Sequence, residues 1–563
     1  MATRAEPVPS FVNPSFDFGD PRPNAVGRRA LVSHEQTVVH LDNASAPRLM
    51  WNGEDLLSVK FPAGTRAVYP KPAIPGLPDR RAAIQYALAH PEGSDPLEAL
   101  LNPGMKVTIA VDDISLPLPK MLRPDIRQSV LEVVLEMLAA RGVEDFHIII
   151  ATSYHRRMTP AEIRWMVGRR IFDAYYPGRL CHHDGEAPDG MVELGVTEHG
   201  EPARINRRAA ESDLIIYVNI NLVPMDGGSK SVGVGLCDYA TLRSHHNPRT
   251  ILESDSYFDH HRSAIKRSCD RIAKVINSKL RVFHIETALN NCMFDPHMAF
   301  FTKNEDRWNL VDRTMFNVTR GALARLSRPM KRKILFAVPA AYEPIAIHAG
   351  ATDAVHEKTL AYNYAQYCSP LEGQSDVVVY GIPFVSPYNV NSILNPLLVH
   401  VMALGYFYNM YRGMPVVKKN GVLILTHPLY DEFDPLHHPS YIEFFHRVLA
   451  ETRDSFELER KYEAKFAHDP EYIRMYRTGN AYHGVHPFYM WYWGENGRAQ
   501  VGKVICVGAE SKLAASILGW ETAPNMNEAL AMAESHVGRK PSVTLMHFAP
   551  ILMADVKDVP QTV

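Results

Sequence analysis

A glycine turn that carries a lysine, followed by two adjacent histidines, is the part of this chain best suited to chemistry. The turn reads Gly227-Gly228-Ser229-Lys230, and His245 and His246 follow it. Adjacent glycines let a backbone approach a bulky ligand where a Cβ would collide. A lysine at the rim of such a turn can act as an amine nucleophile or as a cation, and a neutral imidazole is a common ligand for nickel, copper, zinc or iron. The pattern indicates a ligand site, although a Gly-Gly-x-Lys turn alone is also typical of an ordinary surface turn.

Further polar candidates come directly after short apolar runs that predict β-strands. Asp113 and Ser115 follow one such run, His155 and Arg156 follow a second, and the glycine turn follows a third. In open α/β sheets, ligands bind at the carboxyl ends of the strands. We therefore expect these side chains to share one site.

Apolar runs alternate with helix-like stretches over most of the sequence, which predicts an α/β fold with largely parallel sheets. A helix is predicted over 124–141, and Thr159, Pro160 and Glu162 form a typical helix start. The aromatic segment 472–493 is expected to pack in a core or an interface. The predicted strands are 106–111, 146–151, 214–218, 282–285, 334–338, 376–380, 422–425 and 504–507.

The length of 563 residues is too great for one compact core, so at least two domains are expected. A basic, helix-like stretch at 320–333 suits a connection between them. We predict a flexible N-terminal leader over 1–40, a first domain over 41–325 and a second α/β domain over 330–555. Each domain is predicted to hold a mostly parallel sheet flanked by helices, with the active site in the cleft between them.

Composition argues against several classes of partner. The net charge is −2 and the basic clusters are short, so nucleic acid is not an expected partner. No stretch approaches the roughly 20 apolar residues of a membrane span, and the N-terminus lacks the apolar core of a signal peptide. The six cysteines show no C-x-x-C spacing, which favours reduced thiols. These features predict a cytoplasmic protein.

Taken in order, these motifs resemble the lactate racemase (LarA-like) family. The resemblance is clearest over residues 100–300 and continues more loosely to about residue 555. It implies a nickel pincer nucleotide, a pyridinium-derived cofactor attached covalently to a lysine. The motifs that carry it are Asp112-Asp113-Ile114-Ser115-Leu116-Pro117-Leu118-Pro119, Ala151-Thr152-Ser153-Tyr154-His155-Arg156-Arg157-Met158-Thr159, Leu194-Gly195-Val196-Thr197 with Gly200, Pro202 and Asn206, the Gly-Gly-Ser-Lys turn, and His246.

The resemblance implies a role for each matching position. Lys230 matches the lysine that carries the cofactor, and His246 matches the histidine that completes nickel coordination, with His245 as the alternative ligand. His155 matches one of two catalytic histidines, and Asp113 matches an acidic residue that contacts the cofactor region. Asp113 and Arg156 complete the catalytic set with His155, and Ser115, Gly227, Gly228 and Ser229 complete the cofactor site with Lys230 and Asp113.

The chemistry that the family implies is reversible hydride transfer from a secondary alcohol carbon to the pyridinium ring. A histidine serves as general base for the hydroxyl proton, because an imidazole titrates near neutral pH. The cofactor performs the difficult step while the protein positions the reactants. A small hydroxy acid substrate and cofactor-synthesis enzymes are the implied partners, and an oligomer is possible.

The sequence departs from the family pattern at the residues that hold lactate. Ile220, between Asn219 and Asn221, stands where the family carries its second catalytic histidine, and Leu116 stands where it has the arginine that binds the substrate carboxylate. In the second domain, the stretch 391–398 offers only Asn391, Ser392 and Asn395 as polar groups. A substitute for the second histidine could be Tyr217, Asp226, His348, His427 or His486.

These observations predict an isomerase: a divergent, nickel pincer nucleotide-dependent racemase or epimerase that acts on a 2-hydroxy acid other than lactate. A larger or less anionic hydroxy substrate would suit the changed pocket. One alternative is a protein that binds the nickel pincer nucleotide without racemase activity. A second is a metal-free α/β protein in which the turn and the histidines are structural.

Overall fold

Two main β-sheets flanked by helices form the frame of the protein in the computed structural model, which describes residues 37–558. The strands, in chain order, are β1 (Val38–His40), β2 (Arg48–Asn52), β3 (Asp55–Val59), β4 (Arg66–Val68), β5 (Lys106–Asp112), β6 (Asp145–Ala151), β7 (Leu180–His182), β8 (Met191–Val196), β9 (Pro202–Asn206), β10 (Leu214–Asn221), β11 (Val282–Leu289), β12 (Pro344–Gly350), β13 (Cys368–Glu372), β14 (Ser375–Gly381), β15 (Tyr411–Gly413), β16 (Val417–Thr426), β17 (Lys503–Val507), β18 (Glu521–Ala523), β19 (Val543–Met546) and β20 (Met553–Lys557).

Helices connect these strands. The α-helices are α1 (Arg80–Ala89), α2 (Leu97–Leu100), α3 (Ile126–Ala140), α4 (Pro160–Tyr175), α5 (Arg207–Ala210), α6 (Lys230–Gly235), α7 (Tyr239–Leu242), α8 (Pro248–Leu252), α9 (Ala264–Asn277), α10 (Leu310–Arg325), α11 (Arg328–Ala337), α12 (Thr352–Tyr367), α13 (Pro396–His400), α14 (Pro439–Glu443), α15 (Ser455–Leu458), α16 (Ala464–Ala467), α17 (Pro470–Thr478), α18 (His486–Tyr492), α19 (Glu495–Gln500), α20 (Lys512–Leu518) and α21 (Met526–Val537). Pro296–Thr302 and Glu305–Arg307 are 3-10 helices, and Val401–Phe407, Phe444–Leu449 and Glu459–Glu463 are π-helical turns.

The first sheet has the strand order β12-β11-β10-β5-β6-β7 and is parallel except for the β11–β12 pair. Strand β10 is buried along its whole length, as expected for a parallel strand covered on both faces. Because β5, β6 and β10 run in the same direction, their carboxyl ends meet at one edge of this sheet.

Helices α3 and α4 pack beside this sheet and begin as the sequence predicts. The side chain of Asp125 caps α3 by accepting from the backbone N–H of Arg127. At the start of α4, Thr159 and Glu162 form a capping box. These local contacts set where each helix begins, and therefore how the loops after β5 and β6 are held.

The second sheet has the order β1-β4-β19-β14-β16-β17-β18 and is parallel except for the β1–β4 pair. The aromatic segment predicted to pack in a core does so: every residue of α18 is buried. Its side chains join a large apolar cluster that includes residues of both sheets, such as Ile109 and Leu423. The two sheets therefore share a core along their common face.

Seven of the eight predicted strands lie within observed strands, and the strand predicted at 334–338 is wrong. That run forms the end of helix α11, which begins after Ser327 with Pro329 in its first turn. Leu335 and Phe336 pack against the core from this helix. A short apolar run has the same appearance in a strand and in a buried helix face, so periodicity alone does not distinguish them.

Each of the two main sheets contains strands from both predicted domains. Strand β12, beyond residue 330, pairs with β11 of the first sheet, whereas β4, from the N-terminal segment, pairs with β19 of the second. The limits at 325 and 330 stay a prediction. The predicted leader lies outside the described residues except for 37–40, within which Val38–His40 form β1.

Two further features concern residues 37–558. No helix in this part of the chain combines the length and the apolar character needed to cross a bilayer. The six cysteines all lie within it, and each is a free thiol, in agreement with the expectation of reduced cysteines.

Candidate active site

A cavity of about 220 Å³ lies between the carboxyl ends of β5, β6 and β10 and the helices of the second half of the chain. Asp113, His155 and Lys230 line it from the first half. Tyr406 and His486 line it from the second. Residues that follow three different strands therefore line one cavity, although not every residue expected there does so.

His155 and Asp113 form a hydrogen-bonded pair in the wall of this cavity. Nδ1 of His155 lies 2.8 Å from Oδ2 of Asp113, and the backbone N–H of Ser115 donates to Oδ1 at 2.9 Å. The Ser115 hydroxyl donates to the same oxygen. Burial raises the pKa of Asp113, but the charge and hydrogen bond of His155 and the hydrogen bonds of Ser115 outweigh it, so this pKa lies below its ordinary value.

This pairing sets the tautomer of His155. An ionised carboxylate only accepts hydrogen bonds, so the neutral imidazole carries its proton on Nδ1 and donates it to Asp113. Its Nε2 is then an unprotonated acceptor available to the cavity. The His155 side chain is 26% exposed, which leaves it accessible to a bound substrate.

Arg156 does not line the cavity, although it was a candidate for the catalytic set. Its guanidinium donates to both carboxylate oxygens of Glu162, at 2.8 and 3.0 Å, and to the carbonyl of Val390 at 3.0 Å. Since these contacts are buried, Arg156 joins the start of α4 to the second half of the chain and is not placed to touch a substrate.

The two glycines of the turn adopt left-handed conformations, with φ of 83° at Gly227 and 61° at Gly228. A Cβ at Gly227 would lie 2.4 Å from Oε2 of Glu286, and one at Gly228 would lie 2.6 Å from Cδ2 of His356. Neighbouring protein atoms therefore require glycine here, which corrects the expectation that a ligand does. Gly227 lines the cavity, whereas Gly228 and Ser229 do not, and the Ser229 hydroxyl donates to Asp353.

Lys230 begins helix α6 and lines the cavity. Within the described part of the chain its amine has no hydrogen-bond or ion-pair partner. Its charge acts on Asp226, whose pKa is raised to about 6 because burial outweighs the opposing effect of Lys230. The amine is therefore available for a bond to a ligand.

His246 lines the cavity and His245 lies behind it. The Nδ1 atoms of the two rings are 2.7 Å apart, which leaves Nε2 of His246 available to the cavity. Burial, followed by the charges of His245 and Lys230, lowers the pKa of His246 well below its ordinary value. The ring is therefore neutral at physiological pH, which is the form that binds a metal ion.

Three of the five candidates for a second acid or base line the cavity: Tyr217, Asp226 and His486. His348 instead pairs with Glu92 at 3.3 Å, and His427 accepts from the backbone N–H of Leu429 at 2.9 Å. The ring centroids of His486 and His155 are only 5.5 Å apart.

Most of the polar residues beside the expected departures from the family pattern have structural partners. Asn219 lines the cavity, but its side-chain amide donates to Asp112, and Asn221 donates to Glu286 at 2.8 Å. Ile220 is completely buried in β10. In the second half, the Asn391 amide donates to Glu162, the Ser392 hydroxyl donates to Asp434 and Asn395 caps α13, so the stretch 391–398 does not reach the cavity.

Much of the remaining wall is apolar and, apart from Leu116 and Trp493, comes mostly from residues that the sequence patterns did not single out. Among the described residues that line the cavity, Lys230 is the only lysine or arginine. Ordinary core residues show no functional signal in a single sequence, and only packing brings them to the site. The apolar lining includes Leu116, Met293, Met402, Phe407, Met410, Trp493, Phe548 and Ile551.

Comparison with known proteins finds related sequences. Residues 53–257 match the family described as the lactate racemase N-terminal domain. The chain is 28% identical over 173 residues to a lactate racemase of Lactiplantibacillus plantarum, covering 30% of this chain and 38% of that protein. It is 23% identical over 168 residues to a lactate racemase of Thermoanaerobacterium thermosaccharolyticum, covering 29% of this chain and 37% of that protein. The matched part is thus less than two thirds of these relatives' length.

The fold extends the similarity beyond the aligned sequence. The solved structure of the lactate racemase apoprotein from Thermoanaerobacterium thermosaccharolyticum superposes with a TM-score of 0.57 at 16% identity, covering 90% of this chain and all of that one. At this identity the match supports the fold alone. Residues 53–257 are therefore similar in sequence to the lactate racemase N-terminal domain, and the chain as a whole is similar in fold to the lactate racemase apoprotein.

Proposed function

We propose that this protein is a racemase or epimerase that uses a nickel pincer nucleotide carried on Lys230 and acts on a 2-hydroxy acid other than lactate. One observation supports this most strongly. The cavity brings together a lysine amine with no hydrogen-bond or ion-pair partner among residues 37–558, a neutral histidine and a histidine oriented by a carboxylate, namely Lys230, His246 and His155.

The residues present fit this cofactor. The Lys230 amine is available for a covalent link, and His246 offers one neutral nitrogen. Among residues 37–558, no three histidine, cysteine or acidic side chains are grouped so as to hold a metal ion by themselves. An ion at His246 would take its other ligands from a bound group, as a nickel pincer nucleotide provides.

In the proposed reaction the protein positions the substrate and moves a proton. When bound, the cofactor supplies an electron-poor ring that can accept a hydride from the carbinol carbon. Asp113 holds His155 in the tautomer whose Nε2 accepts the hydroxyl proton. The apolar wall excludes water, which strengthens the electrostatic contacts inside the site.

The wall favours a substrate with an apolar substituent larger than the methyl group of lactate. Leu116 offers no hydrogen bond to a carboxylate, and Lys230 is committed to the cofactor in this proposal. A larger substituent would pack against Met402, Phe407 and Phe548, with a gain of about 25 cal/mol for each Å² of apolar surface buried.

The proposal also assigns a role to each predicted domain and a cellular location to the reaction. The first domain, proposed over 41–325, carries the cofactor, and the second, over 330–555, closes the cleft. Loading requires cofactor-synthesis enzymes as partners, and we place the reaction in the cytoplasm.

A second candidate function, cofactor binding without turnover, is motivated by Ile220 and Leu116, which lack the groups that hold and interconvert lactate.

Mass spectrometry of the intact protein with nickel analysis tests the cofactor, on protein produced together with the cofactor-synthesis enzymes. We expect a nickel-containing adduct at Lys230 that Lys230→Ala abolishes and that Lys274→Ala, an exposed lysine on α9, retains. An unmodified mass, from a preparation in which a known racemase is loaded in parallel, would favour the metal-free alternative.

Chiral chromatography then tests turnover on single enantiomers of lactate, 2-hydroxybutanoate, 2-hydroxy-4-methylpentanoate and 2-hydroxy-3-phenylpropanoate. We expect inversion of the larger substrates in preference to lactate. An adduct without inversion of any of the four would support the cofactor-binding alternative.

A further inference from the structure

Two imidazoles meet at one end of the cavity and make different contacts behind it. The rings of His155 and His486 are 5.5 Å apart between centroids, and both pack edge-on against Tyr388, at 5.3 and 5.1 Å. Each ring has its Nδ1 engaged by a buried side chain, Asp113 for His155 and Tyr441 for His486. In both rings Nε2 is the nitrogen left for the cavity.

Tyr441, which contacts Nδ1 of His486, gives the His486 ring the tautomer opposite to that of His155. The Tyr441 hydroxyl lies 2.5 Å from Nδ1 of His486, and within residues 37–558 it has no other hydrogen-bond partner. Burial raises the pKa of Tyr441 well above its ordinary value, so the phenol keeps its proton and donates it to Nδ1.

His486 itself is neutral. Burial, followed by the charges of His155 and other nearby histidines, lowers its pKa well below the ordinary value. A neutral imidazole that accepts at Nδ1 carries its proton on Nε2. The cavity therefore contains an acceptor nitrogen on His155 and a donor N–H on His486, close enough to act on one atom.

We propose that His155 and His486 together bind the hydroxyl group of the substrate, with His486 Nε2–H donating to its oxygen and His155 Nε2 accepting its proton. A hydroxyl both donates and accepts, so it satisfies both nitrogens. A carboxylate only accepts hydrogen bonds, so its oxygen would face the lone pair of His155 Nε2 with no proton between the two atoms. The pair thus selects the hydroxyl end of the substrate.

This assignment rests on the proposed function for its catalytic consequence. If the C–O single bond became a carbonyl, the hydroxyl proton would move to Nε2 of His155, and the carbinol hydrogen would leave as a hydride, with both electrons of the C–H bond, for the electron-poor ring that the proposed cofactor would supply. The product carbonyl oxygen only accepts, and both rings then present N–H donors to it. His486 is then a catalytic residue that stabilises this oxygen.

The tautomers can be measured without cofactor, by NMR of the ring nitrogens in protein labelled with ¹⁵N-histidine and assigned with His155→Asn and His486→Asn. We expect His155 to carry its proton on Nδ1 and His486 on Nε2, and Tyr441→Phe to change the His486 signals while leaving those of His155 in place. Adding 1-phenylethanol, an uncharged secondary alcohol, should shift both sets of ring signals. A proton on Nδ1 of His486, or no shift of either ring, would overturn the assignment.

Kinetics on the loaded enzyme give a second, separable test. We expect His486→Asn to keep the Lys230 adduct while kcat falls about 10²- to 10³-fold, as is typical for loss of one donor to a developing oxyanion. His468→Asn, an exposed histidine, should retain the wild-type rate. Full activity of His486→Asn would refute its role, whereas absence of the adduct in the wild type would refute the proposed function and leave the tautomer result intact.

Discussion

The backbone N–H of Gly228 donates a hydrogen bond to the buried carboxylate of Glu286 at 3.1 Å, and this contact holds the turn that presents Lys230. The same carboxylate accepts from Nδ1 of His356 at 2.9 Å and from the Asn221 amide at 2.8 Å. Strand β11, helix α12 and the turn are therefore joined through one buried group. Burial raises the pKa of Glu286, but the charge of His356 and the hydrogen bonds hold it well below its ordinary value.

Replacing Glu286 by Gln should loosen the turn. One oxygen becomes an NH₂ group, which cannot accept, so either Gly228, which donates to Oε2, or His356, which donates to Oε1, loses its acceptor. An unsatisfied buried donor costs about 1–3 kcal/mol. We expect Glu286→Gln to lower the free energy of unfolding by that amount in urea titrations and to reduce the yield of the Lys230 adduct. Glu357→Gln, at an exposed position of α12, is the matched control, and equal behaviour of the two variants would contradict this role.

Replacing Gly227 of the turn by alanine should lower the free energy of unfolding by more than backbone strain alone would. Gly227 and Gly64 both have positive φ, but a Cβ at Gly64 meets no atom within 4 Å, whereas one at Gly227 meets Glu286 at 2.4 Å. We expect Gly64→Ala to cost about 1 kcal/mol and Gly227→Ala distinctly more, with loss of adduct only in the latter. Similar unfolding midpoints for the two variants would show that the turn adapts.

Asp113→Asn should separate orientation of the base from cofactor loading. An asparagine side chain can donate to Nδ1 of His155, which would move the ring proton to Nε2 and remove the acceptor from the cavity. We expect a fall in kcat of about 10²- to 10⁴-fold with the adduct retained, and a similar result for His155→Ala. Asp189→Asn, at an exposed turn, should keep full activity; retained turnover in Asp113→Asn would exclude His155 as the oriented base.

Leu116→Arg should raise the catalytic efficiency on 2-hydroxy acids. A guanidinium at this wall can form a bidentate contact with a carboxylate, which contributes about 1.5–3 kcal/mol, or roughly 10- to 100-fold in kcat/KM. We expect kcat/KM for lactate and for 2-hydroxy-3-phenylpropanoate each to rise by about that factor, because both carry a carboxylate, and Leu116→Met to leave both values near those of the wild type. Unchanged kcat/KM values in Leu116→Arg would show that position 116 does not meet the substrate carboxylate.

Acid should destabilise the protein already below about pH 6.5. The pKa values of His245 and His427 are lowered by burial to about 3, and that of His183 to about 4, so these rings stay neutral in the fold while the unfolded chain takes up protons near pH 6.5. Stability is therefore full above the unfolded pKa and falls as pH drops, by up to about 1.4 kcal/mol per pH unit for each ring. Urea midpoints between pH 8 and 5 measure this.

A variant separates this effect from general acid sensitivity. Because its side chain does not titrate, His427→Asn should reduce the slope of unfolding free energy against pH by about one proton, whatever its own cost in stability. His468→Asn, which removes an exposed ring, should leave the slope close to that of the wild type. A slope unchanged in His427→Asn would contradict the low pKa of this histidine.

Residue patterns determined the parts of this protein that depend on neighbours in the chain. The apolar runs of β5, β6 and β10, the capping box of Thr159 and Glu162, and the polar residues that follow each strand are all visible in the sequence. Because parallel strands end at a common edge, the pattern also predicts that these residues meet. The cavity containing Asp113, His155 and Lys230 follows from that local order.

Tertiary packing decided the rest. Glu286 as the brace of the turn, Tyr441 behind His486, and the apolar wall come from residues distant in sequence, whose proximity depends on how the two sheets share a core. The run 334–338 became a helix for the same reason, since an apolar segment satisfies its burial in whichever conformation its surroundings accept. Chemistry-bearing residue types can be recognised one at a time, but their hydrogen-bond partners, and therefore their tautomers and charges, exist only in the folded chain.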